Sequence, residues 1–188
     1  MIFTETPIAG AYLVELEPHV DERGFFARAW CRDEFAAQGL TQPFVQANLA
    51  QSHDAGTLRG LHFQIPPHEE AKFLRCLRGA VYDVIVDLRP DSATYLHWHA
   101  ESLTATGRNA LYVPAGCAHG YQTLADDTEV FYQVTAAYAP EGERGIRYDD
   151  PAFEIEWPRE VTGLSEKDRS WPDFKPNRAQ PASIGAST

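Results

Sequence analysis

Cysteine is scarce in this chain: Cys31, Cys76 and Cys117 are the only three among 188 residues. An odd, widely spaced set excludes a disulfide framework and supplies no paired ligands for a zinc site. The three read as reduced thiols, packed as small residues in a cytoplasmic protein. Long apolar runs are also missing, and nothing approaches the roughly 20 residues that a membrane-spanning helix needs. The opening Met1-Ile-Phe-Thr-Glu-Thr-Pro7 has neither a basic region nor an apolar stretch, so no signal peptide is expected. Positive charge is in short supply. Sixteen Lys and Arg stand against 27 Asp and Glu, a formal net charge of −11. That excludes general nucleic-acid binding, which wants a basic face. It leaves room for an anionic small ligand held by a few arginines. No internal repeat is visible.

What is present is a series of short strand-like runs separated by turn signals. Ala11-Tyr-Leu-Val-Glu-Leu16 lies between Pro7 and Pro18, and Asp21-Glu-Arg-Gly24 forms a turn before an aromatic strand over 25–30. Residues 33–38 read as a short helix, capped by Asp33 and ended by Gly39. Strands follow over 44–50 and 58–64, the latter stopped by Pro66-Pro67. A hairpin is expected over 72–88, turning at Arg78-Gly79. In its second arm Tyr82, Val84, Val86 and Leu88 share one face, and Val81, Asp83, Ile85 and Asp87 the other. Further strands are expected over 97–103, 109–113, 120–124, 128–135 and 145–148. Regular short strands of this kind predict a mainly β sandwich or barrel with a few short helices. The pattern fades after Trp157. The expected organisation is one domain over 1–175 and a loose tail over 176–188, rich in Pro, Ala, Ser and Gly.

The chemistry concentrates in Thr57-Leu-Arg-Gly-Leu-His-Phe-Gln-Ile-Pro-Pro-His-Glu-Glu-Ala-Lys72. His62 can take a proton near neutral pH. Arg59 can grip a phosphate or carboxylate with its planar fork. Lys72 can set a positive charge beside a forming oxyanion. A base, an anion clamp and an oxyanion stabiliser in one short segment point to proton abstraction beside a carbonyl. Taken alone, each has a plainer reading: His62 as a packed histidine, Lys72 as a surface lysine. Tyr132 and Tyr138 lie six apart and share a face if their strand is regular. A carboxylate should orient His62, and Asp83 competes with Asp168 of Ser165-Glu-Lys-Asp168 for that place. His97, His99 and Glu101 alternate on one strand and form a minor candidate for metal.

Six segments together resemble the dTDP-4-dehydrorhamnose 3,5-epimerases: Asp21-Glu-Arg-Gly-Phe-Phe26, Gly56-Thr-Leu-Arg-Gly-Leu-His-Phe-Gln64, Lys72 with Arg75-Cys76, 79–89, Val113-Pro-Ala-Gly-Cys-Ala-His-Gly120, and 145–151. The resemblance runs from about Thr4 to about Asp168. It implies a cupin-type double-stranded β-helix (jelly roll), a homodimer, and no metal or redox cofactor. It further implies inversion at C3 and C5 of a nucleotide-linked 4-keto-6-deoxyhexose through an enolate. In that scheme His62 is the base and Asp168 its carboxylate partner, Lys72 steadies the enolate, and Tyr132 is the acid with Tyr138 nearby. Arg59 and His119 hold the diphosphate and sugar. Gln46 and Asn48 line the same pocket, and Arg23 and Phe26 reach the nucleotide across the dimer.

The chain also departs from the family pattern. Arg28 stands where a glutamate is common beside the nucleotide base, which exchanges an acceptor for a donor and opens cytidine- or guanosine-linked substrates as an alternative. Inversion of C3 or C5 alone is a second alternative. Ala50 replaces a frequent serine, and Ser170-Trp-Pro-Asp-Phe174 is an unusual ending that could close over the pocket.

Overall fold

The structure is a computed structural model and describes residues 1–176. The loose tail expected over 176–188 lies, from 177 onward, outside the described residues. In chain order the elements are β1 (Ile2–Glu5), β2 (Tyr12–Glu15), β3 (His19–Asp21), β4 (Gly24–Phe26), α1 (Arg32–Ala37), β5 (Gln46–Ser52), β6 (Leu58–Gln64) and β7 (Lys72–Arg78), then β8 (Ala80–Asp87), β9 (Trp98–Thr104), β10 (Ala110–Val113), β11 (Cys117–Thr123), β12 (Thr128–Val134), β13 (Glu143–Gly145) and α2 (Glu166–Arg169). Two antiparallel sheets face each other. One has six strands in the order β1-β2-β10-β7-β12-β5, and the other has five in the order β13-β6-β11-β8-β9. This is the mainly β jelly roll that the strand pattern and the resemblance predict. β3 and β4 form a separate two-stranded ribbon.

Period-two patterning sorts the side chains into three layers. Leu74, Cys76, Leu111 and Val130 from the larger sheet meet Val81, Ile85, Leu103 and Tyr121 from the smaller one in the central core. The alternate residues of the same strands pack outward. Phe73, Tyr112 and Val14 lie under Phe35 of α1, with the Phe35 and Phe73 rings edge-to-face at 4.9 Å. Leu61, Val84, Val86 and Ala118 lie under Ile146, Phe153, Trp157 and Phe174. Each fully buried Val, Leu or Ile contributes about 1.5–3 kcal/mol relative to exposure, so the outer coats matter as much as the core. The segment beyond Trp157, where periodicity fades, is one of those coats.

Several expectations are corrected. The run 72–88 is not a hairpin, because β7 pairs with β10 and β12 while β8 pairs with β11 and β9. The Arg78-Gly79 turn instead carries the chain from one sheet to the other. Gly79 has φ +75, and a Cβ there would lie 2.4 Å from the Thr128 hydroxyl. The aromatic strand stops at Phe26, since its only partner is the three-residue β3. The last strand is Glu143–Gly145 rather than 145–148: it pairs with Gln64, Phe63 and His62, and only Ile146, which exchanges backbone hydrogen bonds with Leu61, carries the contact further. Cys31, not Asp33, precedes α1, and it makes no side-chain cap. Asp33 sits in the first turn, where its charge still suits the helix N-terminus.

At the end of β8 a buried carboxylate organises the loop to β9. Asp87 Oδ1 accepts from the Arg89 backbone N–H (3.0 Å) and Nε (2.8 Å). Its Oδ2 accepts from Arg89 Nη2 (2.7 Å), Ser92 Oγ (2.5 Å) and Thr94 Oγ1 (2.6 Å). Burial acts to raise this carboxyl, but the Arg89, Ser92 and Thr94 hydrogen bonds outweigh it and hold the group well below the usual range. A depressed carboxylate stabilises the fold fully above its unfolded value of about 3.9 and loses that contribution as pH falls through the folded value. Asp87→Asn is therefore expected to cost about 1–3 kcal/mol at pH 7. Denaturant titrations should show the gap to the parent protein closing below about pH 4.

Candidate active site

The inward faces of the two sheets are not apolar throughout. Beside the central core they carry polar side chains and open into a cavity of about 400 Å³. The five-stranded wall supplies His62 from β6 and His119 from β11. The six-stranded wall opposite supplies Lys72 from β7, Tyr132 from β12, and Gln46 and Asn48 from β5. Arg59 and Tyr138 complete the lining among the residues expected from sequence.

The two histidines are cross-strand partners, and the ladder slips between His119 and Tyr121. The strands come unusually close there. A Cβ on Gly60 would stand 2.5 Å from the Gly120 Cα, and Gly60 has φ +123, a conformation side chains disfavour.

Each histidine has its own carboxylate. His62 Nε2 lies 2.6 Å from Asp168 Oδ1. Asp168 sits on α2, where Ser165 Oγ accepts its backbone N–H at 3.0 Å, and its second oxygen accepts the Gly60 N–H at 3.4 Å. Burial alone would raise the Asp168 carboxyl. The hydrogen bond and charge of His62, helped by the Gly60 N–H, prevail and lower it. Asp83 instead holds His119 Nε2 at 2.9 and 3.0 Å. Asp83 is fully enclosed, and burial pushes its carboxyl up against the opposing pull of His119. The competition between Asp83 and Asp168 for His62 thus resolves by position on the wall: the two acids serve different histidines.

On the facing wall Lys72 is almost buried. Its Nζ donates to the His62 carbonyl at 3.2 Å and pairs with Glu70 Oε1 at 3.3 Å. Burial raises the Tyr132 phenol, with the Glu70 charge adding to the rise and Arg59 opposing it. The phenol therefore stays protonated at neutral pH. Arg59 is fixed by bonds from Nε to Ser52 Oγ (3.1 Å) and from Nη2 to the Gln51 carbonyl (2.9 Å). Gln46 Nε2 donates to Asn48 Oδ1 at 2.9 Å.

Two expectations need correcting here. Tyr132 and Tyr138 do not share a strand face, because β12 ends at Val134 and Tyr138 reaches the cavity from the following loop, its hydroxyl donating to Glu143 Oε2 at 2.8 Å. Arg23 and Phe26, expected to reach the nucleotide across a dimer, stand away from this chain's own cavity. They lie on the exposed β3–β4 ribbon, where Arg23 Nη2 bonds Asp21 at 2.5 Å and Phe26 is 74% exposed. His97 falls outside β9, and His99 Nε2 pairs with Glu101 Oε1 at 2.8 Å. Among the described residues no cluster of three His, Cys, Asp or Glu is arranged to hold a metal ion.

Sequence reasoning missed Glu70, Tyr121, Glu143 and Lys167, which also line the cavity. Tyr121 was within reach, standing two residues after His119 on one strand. Glu143 and Lys167, paired at 2.6 Å, come from segments without periodicity.

Replacement of Gly60 by Ala forces backbone against backbone at the foot of both histidines. It is expected to destabilise the protein by on the order of 3 kcal/mol, read as a lowered midpoint in thermal unfolding.

The family described as dTDP-4-dehydrorhamnose 3,5-epimerase matches residues 5–176. The dTDP-4-dehydrorhamnose 3,5-epimerase of Sinorhizobium fredii is 44% identical over 179 residues, covering 93% of this chain and 90% of that one. The crystal structure of the Bacillus anthracis enzyme of the same name, with TDP and PPi bound, superposes with a TM-score of 0.89 at 40% identity, covering 92% of this chain and 99% of that one. ChmJ, a 3'-monoepimerase from Streptomyces bikiniensis in complex with dTDP-quinovose, gives a TM-score of 0.82 at 35% identity, covering 89% and 85%. With the matched span taking in both walls of the cavity and α2, the chain belongs to the dTDP-4-dehydrorhamnose 3,5-epimerase family.

Proposed function

We propose that this protein is an isomerase that epimerises C3 and C5 of a dTDP-linked 4-keto-6-deoxyhexose. The observation that carries the reading is the division of labour between the walls. A histidine backed by a buried carboxylate stands on one sheet, and a protonated phenol stands on the facing sheet. Inversion of a carbon requires a proton to leave one face and another to arrive at the opposite face. Both C3 and C5 adjoin the C4 ketone, so loss of either proton gives an enolate with its charge on the C4 oxygen. His62 takes the proton, and Asp168 fixes its ring and supports the imidazolium. Lys72 supplies positive charge to the enolate oxygen. Tyr132 returns a proton to the other face, exchange with solvent water takes the proton from the imidazolium and restores the phenol, and the cycle then repeats at the second carbon. The reactant and product have the same composition, so the chemistry balances without a redox step.

Arg59 and His119 are assigned to the diphosphate and sugar, with Gln46, Asn48 and Tyr138 completing the pocket. The ribbon β3–β4 exposes Val20, Phe25 and Phe26, and the outer face of β5 exposes Leu49. These apolar surfaces support a homodimer in which Arg23 and Phe26 serve the partner's cavity. Arg28, the departure from the family pattern, is held by Glu34 at 2.5 Å. The likeness to the Bacillus anthracis enzyme, which holds TDP, supports a thymidine nucleotide. The free thiols of Cys31, Cys76 and Cys117 support a reducing, cytoplasmic setting. No described helix is long and apolar enough to cross a membrane.

Proton NMR with dTDP-4-keto-6-deoxyglucose in D2O tests the reading. Deuterium is expected at both C3 and C5. Incorporation at one carbon would make the protein a mono-epimerase, as ChmJ is named, and none would overturn the assignment. His62→Asn keeps a hydrogen-bond donor near Asp168 but no base, and should abolish exchange. In the same assay Tyr132→Phe should lower turnover by about 10²–10⁴-fold, and wild-type behaviour would make the phenol structural.

A further inference from the structure

Asp168 belongs to a helix of only four residues, Glu166–Arg169. So short a helix is not stable by itself, yet it must hold a carboxylate within 2.6 Å of His62. On its exposed side Lys167 pairs with Glu143, but the lysine is half exposed and such a pair holds weakly. A second anchor lies three residues beyond Asp168. The Trp171 indole fills the space where a side chain on Gly145 would be: a Cβ there would lie 2.2 Å from Nε1 and Cε2 and 2.6 Å from Cδ1. Gly145 is the cross-strand partner of His62. Directly opposed residues project to the same side of a sheet, so the indole stands on the His62 side of β13. Glu143, two residues earlier on that strand, lines the cavity from the same face. Trp171 Nε1 is buried without an acceptor, alone among the described side-chain polar atoms. The ring is therefore held by shape and not by a hydrogen bond.

We propose that Trp171 is a positioning residue: seated in the socket left by Gly145, it locks the end of α2 so that Asp168 meets His62. This rests on the reading of His62 as the base. The ring does not touch the reacting atoms. It acts through Asp168, and Gly145 is required because any side chain would evict the indole.

The test combines kinetics with proton NMR of protein carrying ¹⁵N-labelled histidine. The hydrogen-bonded ring proton between His62 and Asp168 is assigned by its loss in Asp168→Asn. Trp171→Ala is expected to lower kcat by about 10- to 100-fold with KM unchanged, as a small misplacement of a catalytic group does, and to abolish that resonance. Trp171→Phe keeps a flat ring and discards the unpartnered N–H, so it should restore both. Gly145→Ala should reproduce the Trp171→Ala defect, and the double variant should be no worse than either single one. A Trp171→Ala protein with normal kcat and an intact resonance would overturn the proposal, as would a rise in KM alone. Should Trp171→Ala fail to fold, Gly145→Ala carries the same two readouts. The resonance does not depend on turnover. If His62→Asn retained exchange, the base assignment would fall, while the resonance would still report whether Trp171 sets the His62–Asp168 pair.

Discussion

A single hydrogen bond between residues 106 apart, His62 and Asp168, closes this protein on itself. A buried carboxylate is costly unless it is paired and hydrogen-bonded. Asp168 meets that demand with the His62 ring and the Gly60 N–H, both from β6. The same strand thereby provides the histidine and part of the setting for its partner. The carboxylate stays ionised, the ring keeps a fixed orientation, and α2 is drawn onto the edge of the five-stranded sheet beside β13. Remove the pairing and a buried carboxylate is left uncompensated, while the His62 ring loses the group that fixes its orientation.

The second constraint is the facing of two sheets. A jelly roll places two inward faces opposite one another, and where their side chains turn from apolar to polar a cavity results. Groups on β6 and β11 line one side of that cavity, and groups on β7 and β12 the other. Close approach of β6 and β11 at Gly60 and Gly120 sets His62 and His119 side by side. Each histidine then needs its own acid, one from within the sheet and one from the distant α2. The different settings of those acids, Asp83 wholly enclosed and Asp168 bonded to a backbone N–H, push their carboxyls in opposite directions.

Much of this was legible in the sequence. β8 is readable as a strand because both its faces are covered, one by the central core and one by the outer coat, as Ile85 and Val84 illustrate, which gives a short, nearly continuous apolar run. The strand with Arg59 and His62 is bounded by turns and proline, and its extent was read correctly. The β7–β8 hairpin was misread for a physical reason: a tight Gly turn serves equally to fold a strand back on itself or to step between layers, and only the distant partners decide which. Tyr138 lies in a loop, and Glu143 and Lys167 lie in elements of three and four residues, too short to show a period in the sequence, so their convergence is a tertiary fact. Asp168 was reached through family resemblance, because nothing local distinguishes it from any other surface acid. Beyond Trp157 the pattern fades although the segment packs as an outer coat, since an irregular chain can bury aromatic rings without repeating them.

The distribution of these parts along the chain has a temporal side. Seven of the ten strand pairings join strands that are not consecutive in the chain, a topology in which loop closure must precede reward and folding is slow. The carboxylate that completes the histidine lies beyond every strand of both sheets. During synthesis the two walls can meet and the cavity can take shape before residue 168 has left the ribosome. The His62–Asp168 pair is therefore a late event of chain completion, and a chain that stops short of α2 would carry the cavity without it.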